Sequence, residues 1–248
     1  MVAAPRAADS SAGEAFAGKT VALLHTSFVT TQSVVEQLCK ELMPGIRVIN
    51  FVDDSLLGDI FAKGKLDEHI VKRVIFQVLG AEDAGADVIL SVCNSVPEAV
   101  ETAARMVTLP VVTIDEGMAE LLVKSAERIG VVATGWPSAP SLKRTIEKKA
   151  ALAGKTVQVQ TTVIREAFEA LRVGDFETHD RLVSEEVHRM AREVEVVALS
   201  QGSMARVLPL LQDAGVPIYT SPRLAVERVR NILVQQSVEG LAALAGAR

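Results

Sequence analysis

The sequence predicts an α/β protein made of two similar halves, each a three-layer αβα, Rossmann-like unit with a mostly parallel sheet and a cleft between the halves. Short apolar segments alternate with amphipathic helical patterns along the chain, which is typical of βαβ units. Apolar residues make up 49% of the 248 residues and aromatic residues only 4%. A core of Val, Leu, Ile and Ala is what strands buried between two helical layers require.

Eight short aliphatic segments are predicted to be strands. They are Thr20–His25, Arg47–Phe51, Val88–Val92, Val111–Ile114, Ile129–Ala133, Val157–Val163, Val196–Ser200 and Ile218–Thr220. Amphipathic helices are predicted between them, for example at Thr31–Leu42, Pro97–Val107, Ser141–Leu152, Asp175–Arg192 and Arg223–Leu244. Gly154 and Gly174 lie where two helices are expected to end, and Pro97 lies where one begins.

An internal duplication relates the two halves. VALLHT, from residue 21, matches IGVVAT, from residue 129, and DVILSVCNS, from residue 87, matches EVVALSQGS, from residue 195; both offsets are 108. LPVVT, from residue 109, matches VPIYT, from residue 216, at an offset of 107. Because the three matches keep their order, we expect two similar halves. The first is predicted at 20–115 plus 205–248 and the second at 116–204, after a mobile leader at 1–19.

Small and polar residues gather at the predicted strand ends, where open α/β sheets bind their ligands. They are His25, Thr26 and Ser27; Cys93, Asn94 and Ser95; Thr134; and Gln201, Gly202 and Ser203. If the two sheet edges face each other, Cys93 and Gln201 occupy equivalent positions on opposite walls of the cleft.

Together, the duplication and the Val-Cys93-Asn94-Ser95 segment resemble the aspartate/glutamate/hydantoin racemase superfamily, from about Thr20 to Arg230. The segment is similar to the family's first Cys-Asn-Thr motif. The resemblance implies two pseudo-symmetric α/β domains, each contributing a cysteine at a strand end, and no cofactor. The second family motif corresponds to Ser200-Gln201-Gly202-Ser203-Met204, so Gln201 replaces the second cysteine. A neutral amide has no useful proton-transfer pKa, and a two-thiol mechanism is therefore unavailable.

Three residues are candidates for catalysis. Cys93 precedes a helix start that favours a thiolate, although most free cysteines are small buried apolar residues. His25 ends the first strand and is either a non-thiol acid or base or a satisfied strand-end histidine. Asp115 follows the strand before the second half and is either a base or a helix cap.

The candidate substrate-binding residues lie at the same strand ends. Ser95 has a second interpretation, as the first residue of a capping box with Glu98, and Ser203 also fits a helix cap. The resemblance implies that hydroxyls after the fifth strand lie near the substrate carboxylate. The substrate-binding set is Thr26, Asn94, Ser95, Thr134, Ser138, Gln201, Gly202 and Ser203.

Composition limits the other classes of function. The net charge of −5 argues against nucleic acid as a partner, and no apolar run is long enough to cross a membrane. Two cysteines give neither a disulfide framework nor a metal set, so a reduced, cytoplasmic protein without metal is expected. The long C-terminal helix and the low net charge favour a homo-oligomer.

We therefore predict a cofactor-independent racemase- or epimerase-like enzyme that uses Cys93 for proton transfer at the carbon α to a carboxylate of a small amino acid or related acid. The alternatives are a single-cysteine decarboxylase or isomerase of the same superfamily, or a non-catalytic protein that binds small carboxylates.

Overall fold

The computed structural model describes residues 16–28, 34–135 and 137–246, and it contains two four-stranded parallel sheets. The strand order is β2-β1-β3-β4 in the first sheet and β6-β5-β7-β8 in the second. The same order in both sheets confirms the two similar α/β halves. All eight predicted strands are present, with bounds that differ by one residue at most: β1 Thr20–His25, β2 Arg47–Val52, β3 Val88–Ser91, β4 Val111–Thr113, β5 Arg128–Ala133, β6 Gln158–Val163, β7 Val196–Leu199 and β8 Ile218–Thr220.

Helices connect the strands and cover both faces of each sheet. They are α1 Val34–Leu42, α2 Leu56–Lys63, α3 Glu68–Asp83, α4 Pro97–Ala103, α5 Glu116–Ser125, α6 Ser138–Leu152, α7 Arg165–Arg172, α8 Phe176–Met190 and α9 Ser221–Gly246. Two 3-10 segments, Ala104–Met106 and Gly202–Leu211, follow α4 and β7. Residues 31–33 of the predicted first helix lie outside the described residues. Gly154 and Gly174 follow α6 and α7 with φ of 64° and 80°, as predicted for helix ends.

Side chains alternate between the two faces of the first sheet. Val21 and Leu23 of β1 pack against α1 and α9, whereas Ala22 and Leu24 pack against α2, α3 and α4. Because both faces are covered, β1 is buried along its whole length, which explains its unbroken apolar sequence. In the second sheet, α5 and α6 cover one face, and α7, α8 and the second 3-10 segment cover the other.

The two halves exchange one helix each. The chain leaves β4 of the first sheet to form α5, which packs on the second half, and it leaves β8 of the second sheet to form α9, which packs on the first. Residues 205–220, predicted in the first half, therefore belong to the second, because β8 pairs with β7 just as β4 pairs with β3. The assignment of residues 205–220 to the first half was therefore wrong, whereas α9 does pack on the first half.

Part of the predicted mobile leader is packed. Residues 1–15 lie outside the described residues, but Phe16 is buried in the core beneath α1 and α9. Nζ of Lys19 lies 2.9 Å from Oδ1 of Asp87, the residue that precedes β3 in the chain. The leader prediction is therefore wrong for residues 16–19.

Candidate active site

The carboxyl-terminal edges of the two sheets are joined by Asn94, one residue after Cys93. Its Nδ2 donates a hydrogen bond to the backbone carbonyl of Ser200, at the end of β7. Its Oδ1 accepts one from the hydroxyl of Ser138, the first residue of α6, at 3.3 Å. Asn94, Ser138 and the turn after β7 therefore lie together between the halves.

Cys93 lies two residues beyond the end of β3 and is 6% exposed. Its side chain packs with Ala22, Leu24 and the apolar residues of α3 and α4. The backbone amide of Ser95 points at Sγ, with N and S 3.4 Å apart. A thiolate at this position would accept that hydrogen bond. Cys39, in contrast, is fully buried in the core, and burial raises its pKa to about 12.

Gln201 occupies the equivalent turn of the second half, and its side chain is fixed by three hydrogen bonds. Oε1 accepts from the backbone amide of Thr134 at 2.7 Å, from the Thr134 hydroxyl at 2.9 Å and from the backbone amide of Gly135 at 3.0 Å. Two N–H donors identify the contacted atom as the amide oxygen. Gln201 thus contacts the turn that follows β5, which contains the predicted residue Thr134.

Thr26 is the counterpart of Thr134 in the first half. It is 2% exposed, and its hydroxyl has no hydrogen-bond partner among the described residues. Ser200, Ser141 and Asp115 also carry buried oxygens that lack a partner within the described part of the chain. Buried polar atoms are nearly always hydrogen-bonded to protein, water or ligand. Such atoms at the ends of β1, β4 and β7 and in the first turn of α6 are therefore typical of a ligand site.

Asp115 lies between β4 and α5, at the junction of the halves, and is 3% exposed. Burial raises its pKa to about 7, although a hydrogen bond from Ser221 at the start of α9 opposes the shift. The side chain does not cap α5, so the capping alternative is wrong. Instead, the neighbouring Glu116 accepts a hydrogen bond from the backbone amide of Thr113 at 3.1 Å.

His25 lies on the other face of the first sheet from Cys93. Its Nε2 is 2.9 Å from Oδ1 of Asn50 on β2, and Nδ2 of Asn50 donates to Glu36 of α1 at 3.1 Å. Burial lowers the pKa of His25, while the Asn50 hydrogen bond and the Glu36 charge oppose this effect. The structure therefore places His25 in a buried network beneath α1 and does not bring it to the Cys93 face.

Three other predicted site residues have surroundings that the sequence did not indicate. Ser95 is buried, but α4 begins at Pro97 with Val96 as its N-cap and no side-chain cap, so the capping box is not formed. Gly202 and Ser203 are exposed at the start of the 3-10 segment, which has no side-chain cap either. The cap expected from Ser203 is thus absent, and neither residue lies in the buried part of the cleft.

A cavity of about 420 Å³ lies between the halves, next to Ser95. It is bounded by α4 on one side, α6 on the other and the α2–α3 connection above. Ser141 and Arg144 of α6 and Lys65 of the connection contribute polar groups to its wall. Ser95 lines this cavity and its backbone amide contacts Sγ of Cys93, so the cavity lies next to the residue that is hydrogen-bonded to the thiol.

Two aromatic residues that were not predicted as site residues form a contact between the halves. Phe61 of α2 stacks on Phe168 of α7, with ring centroids 5.5 Å apart. A Cβ added at Gly135 would lie 3.8 Å from Cζ of Phe61 and 3.1 Å from Nε2 of Gln201. The aromatic pair therefore spans the two halves beside Gln201. In the sequence, each phenylalanine fits the pattern of an amphipathic helix. Only their occurrence at corresponding places in the two halves could have indicated this role.

Comparison with known proteins establishes the family. The family model for Asp/Glu/hydantoin racemase matches residues 21–229, so the chain belongs to this racemase family. No curated protein sequence matches the chain significantly.

Solved structures share the fold at low sequence identity. A proposed Asp/Glu racemase from Yersinia pestis has a TM-score of 0.70 and 18% identity, over 87% of this chain and 99% of that one. Glutamate racemase RacE1 from Bacillus anthracis has a TM-score of 0.66 and 15% identity, over 88% and 83%. An arylmalonate decarboxylase variant has a TM-score of 0.57 and 14% identity, over 86% and 93%. At these identities the likeness supports the fold alone.

Within the described residues, no three His, Cys, Asp or Glu side chains are arranged to hold a metal ion. In the same part of the chain, no helix has the length and apolar character that a bilayer crossing requires.

Proposed function

We propose that this member of the racemase family is a cofactor-independent enzyme of the racemase or epimerase type, which moves a proton at the carbon α to the carboxylate of a small amino acid or related acid. The observation that carries the proposal is the position of Cys93. Its thiol lies at a sheet edge, one residue before the side chain that joins the two halves. A ligand bound between the halves therefore meets the thiol.

Proton transfer at this carbon places negative charge on the neighbouring carboxylate. The thiolate of Cys93 takes the α-proton and leaves an enediolate-like intermediate, and the thiol returns a proton in the reverse step. Backbone amides and hydroxyls at the strand ends are available to stabilise that charge, including the hydroxyl of Thr26, which has no partner among the described residues. Fixed donors of this kind contribute most where water is excluded, and Cys93, Thr26 and Asp115 are all buried.

Asp115 is an additional acid or base on the Cys93 side of the cleft, so it does not supply the proton transfer that racemisation needs on the opposite face. Ser91 and Thr113 are paired in register on β3 and β4, and Cys93 and Asp115 each follow by two residues. The ends of neighbouring strands are about 5 Å apart, so these two side chains belong to the same wall of the cleft. A carboxyl group with a pKa of about 7 gains and loses a proton readily near neutral pH.

The wall opposite Cys93 favours a second candidate function. Racemisation needs proton transfer on both faces of the carbon, but Gln201 holds the position opposite the thiol and is fixed by Thr134 and Gly135. One-sided chemistry needs no second group there. A decarboxylation, in which the substrate loses carbon dioxide and the resulting carbanion takes its proton from Cys93, fits this arrangement. An isomerisation with Cys93 as nucleophile fits it as well.

The test is proton NMR in D₂O with aspartate, glutamate, hydantoins and 2-substituted malonates. We expect loss of an α-proton signal or appearance of a product, and we expect Cys93→Ser to abolish it. Cys39→Ala is the matched control, because Cys39 is a core residue on the other face of the sheet and its loss should leave exchange intact.

The chirality of the product separates the two candidates. A racemic product supports the racemase or epimerase, and a single enantiomer supports one-sided chemistry. If no compound exchanges but one of them protects Cys93 from alkylation, the enzyme proposal is wrong and the chain is a carboxylate-binding protein.

A further inference from the structure

The turn after β5 provides three hydrogen-bond donors to a single oxygen atom. The amides of Thr134 and Gly135 and the hydroxyl of Thr134 all point at Oε1 of Gln201, at 2.7 to 3.0 Å. Successive backbone amides aimed at one point form a concave anion-binding site. A carboxylate oxygen accepts such hydrogen bonds more strongly than a carboxamide oxygen does. The Gln201 side chain therefore occupies a site whose donors suit an oxyanion.

The duplication gives this turn a counterpart beside the thiol. Thr26 corresponds to Thr134, and Cys93 corresponds to Gln201, both at the offset of 108. Leu24 and Ser91 are paired in register, and Thr26 and Cys93 follow them by two residues, so both side chains leave the sheet on the same face. The hydroxyl of Thr26 is buried and has no partner among the described residues. The two equivalent hydroxyls therefore differ in their hydrogen bonding. The hydroxyl of Thr134 is bonded to Gln201, whereas that of Thr26 has no partner among the described residues and is available to a ligand.

From this asymmetry we infer that the chain retains two equivalent oxyanion subsites and fills the second with its own Gln201. The inference rests on the proposed function, which places a substrate carboxylate between the halves. The substrate then supplies one carboxylate, bound by the Thr26 turn next to Cys93. Its other end is neutral, because the donors of the Thr134 turn are already bonded.

The surroundings of Gln201 favour an apolar group at that other end. Phe61 approaches the Gly135 turn and stacks on Phe168. A second carboxylate placed here would have to displace the carboxamide and also lose water against two aromatic rings. The ligand class that fits is therefore a small monocarboxylic acid with an apolar substituent, and dicarboxylic acids of the same length are selected against.

The test compares pairs of acids that differ in one terminal group. Norvaline and glutamate form one pair, and 2-aminobutyrate and aspartate form the other; in each, a methyl group replaces a carboxylate. The readout is protection of Cys93 from iodoacetamide, and Cys39 does not interfere because burial raises its pKa to about 12. We expect the monocarboxylate of each pair to protect at concentrations at least about ten-fold lower than its partner.

Gln201→Ala frees the three donors, and we expect it to shift this ratio at least about ten-fold towards the dicarboxylate. Gln201→Asn, whose carboxamide is one methylene too short to reach the turn, should shift it in the same direction and serves if the alanine variant does not fold. Gln212→Ala is the control, because Gln212 is an exposed glutamine of the same half whose Nε2 bonds only within its own segment among the described contacts. It should leave the ratio unchanged.

Backbone amide NMR tests the subsite without catalysis. In Gln201→Ala, the amide signals of Thr134 and Gly135 should shift as acetate is added, and in the unmodified chain they should not. Absence of the shift in the variant overturns the inference, as does equal protection by both members of each pair in the unmodified chain. If no acid protects Cys93 in any variant, the proposed function is wrong, and the acetate titration then decides alone whether the subsite exists.

Discussion

Asn94 of the first half donates a hydrogen bond to the backbone carbonyl of Ser200 in the second half, so a side chain next to the candidate catalytic thiol is bonded to the main chain of the opposite wall. The oxygen of the same amide is bonded to the hydroxyl of Ser138. The amide nitrogen and the amide oxygen of Asn94 are thus both hydrogen-bonded to residues of the second half. The distance across the cleft depends on this residue as well as on the packing of α5 against α9.

Replacing Asn94 by aspartate should destabilise the protein through a specific repulsion. The carboxylate would face the carbonyl oxygen of Ser200 with no hydrogen to donate, and we expect the free energy of unfolding at pH 7 to fall by about 1–3 kcal/mol. Asn94→Ala, which removes the hydrogen bonds without adding a charge, is the matched control and should cost about 1 kcal/mol. Urea denaturation at pH 7 measures both, and an aspartate variant as stable as the alanine variant would contradict the proposed contact.

Asp115 should make stability decrease as the pH rises. The folded carboxyl keeps its proton up to about pH 7, whereas the unfolded one loses it near 3.8. Between these values the folded state binds more protons, so the free energy of unfolding falls with increasing pH. Asp115→Asn removes the titrating group, and above pH 7 it should gain up to about 4 kcal/mol relative to the unmodified chain.

Denaturation curves between pH 4 and 8 give the slope for both proteins. Asp83→Asn alters an exposed carboxyl at the end of α3 and should leave the slope as it is. A slope that is the same with and without Asp115 would show that this carboxyl ionises normally in the folded chain.

The stacked pair of Phe61 and Phe168 should couple the two halves energetically. Their ring centroids are 5.5 Å apart, and aromatic pairs at such distances contribute about 0.5–1.5 kcal/mol beyond their buried area. A double-mutant cycle with Phe61→Leu and Phe168→Leu isolates this term. We expect a coupling energy within that range from urea denaturation, and additive effects of the two substitutions would mean that the rings do not touch in solution.

Two glycine substitutions should have opposite effects. A Cβ at Gly117 in α5 would lie 2.6 Å from the backbone oxygen of Leu224 in α9, whereas a Cβ at Gly58 in α2 would meet nothing within 4 Å. Gly117→Ala should therefore force the helices apart and cost about 1–3 kcal/mol. Gly58→Ala should gain up to about 1 kcal/mol from helix propensity. Thermal unfolding of the two variants checks the difference in sign. A Gly117→Ala variant as stable as the unmodified chain would show that α5 and α9 do not approach each other at Gly117.

Much of the fold could be predicted from local sequence, because each strand is buried on both faces and each helix has one apolar face. The duplication added the pairing of Cys93 with Gln201 as equivalent positions. Taken alone, Ile218–Thr220 is a short apolar segment that suits either sheet. Its match to the segment from residue 109 indicates that β8 takes the place in the second sheet that β4 takes in the first, and the repeated strand order agrees with this.

Side-chain direction at the strand ends was the other limit. His25 and Thr26 are neighbours in sequence, but they leave β1 on opposite faces, so the histidine reaches Asn50 and the threonine faces the side of Cys93. Ser203 follows Gln201 closely and is nevertheless exposed, because the chain turns into a 3-10 segment at Gly202. The three bonds to Gln201 depend on how the Thr134–Gly135 turn is oriented, which no local pattern reveals.

Substituting His25 tests whether its side chain leaves β1 on the face opposite to Thr26 and Cys93. Because it lies on the α1 face, His25→Gln should retain proton exchange within about three-fold, whereas Cys93→Ser should lose at least about 100-fold. Stability should change instead. Burial lowers the pKa of the folded imidazole, so below pH 6.5 the unfolded chain binds a proton that the folded chain resists, and the free energy of unfolding falls as the pH decreases. The glutamine variant should lose this acid sensitivity between pH 7.5 and 5.5 in urea denaturation. If His25→Gln lost as much exchange as Cys93→Ser while its stability was unchanged, His25 would be a catalytic residue and this prediction would be wrong.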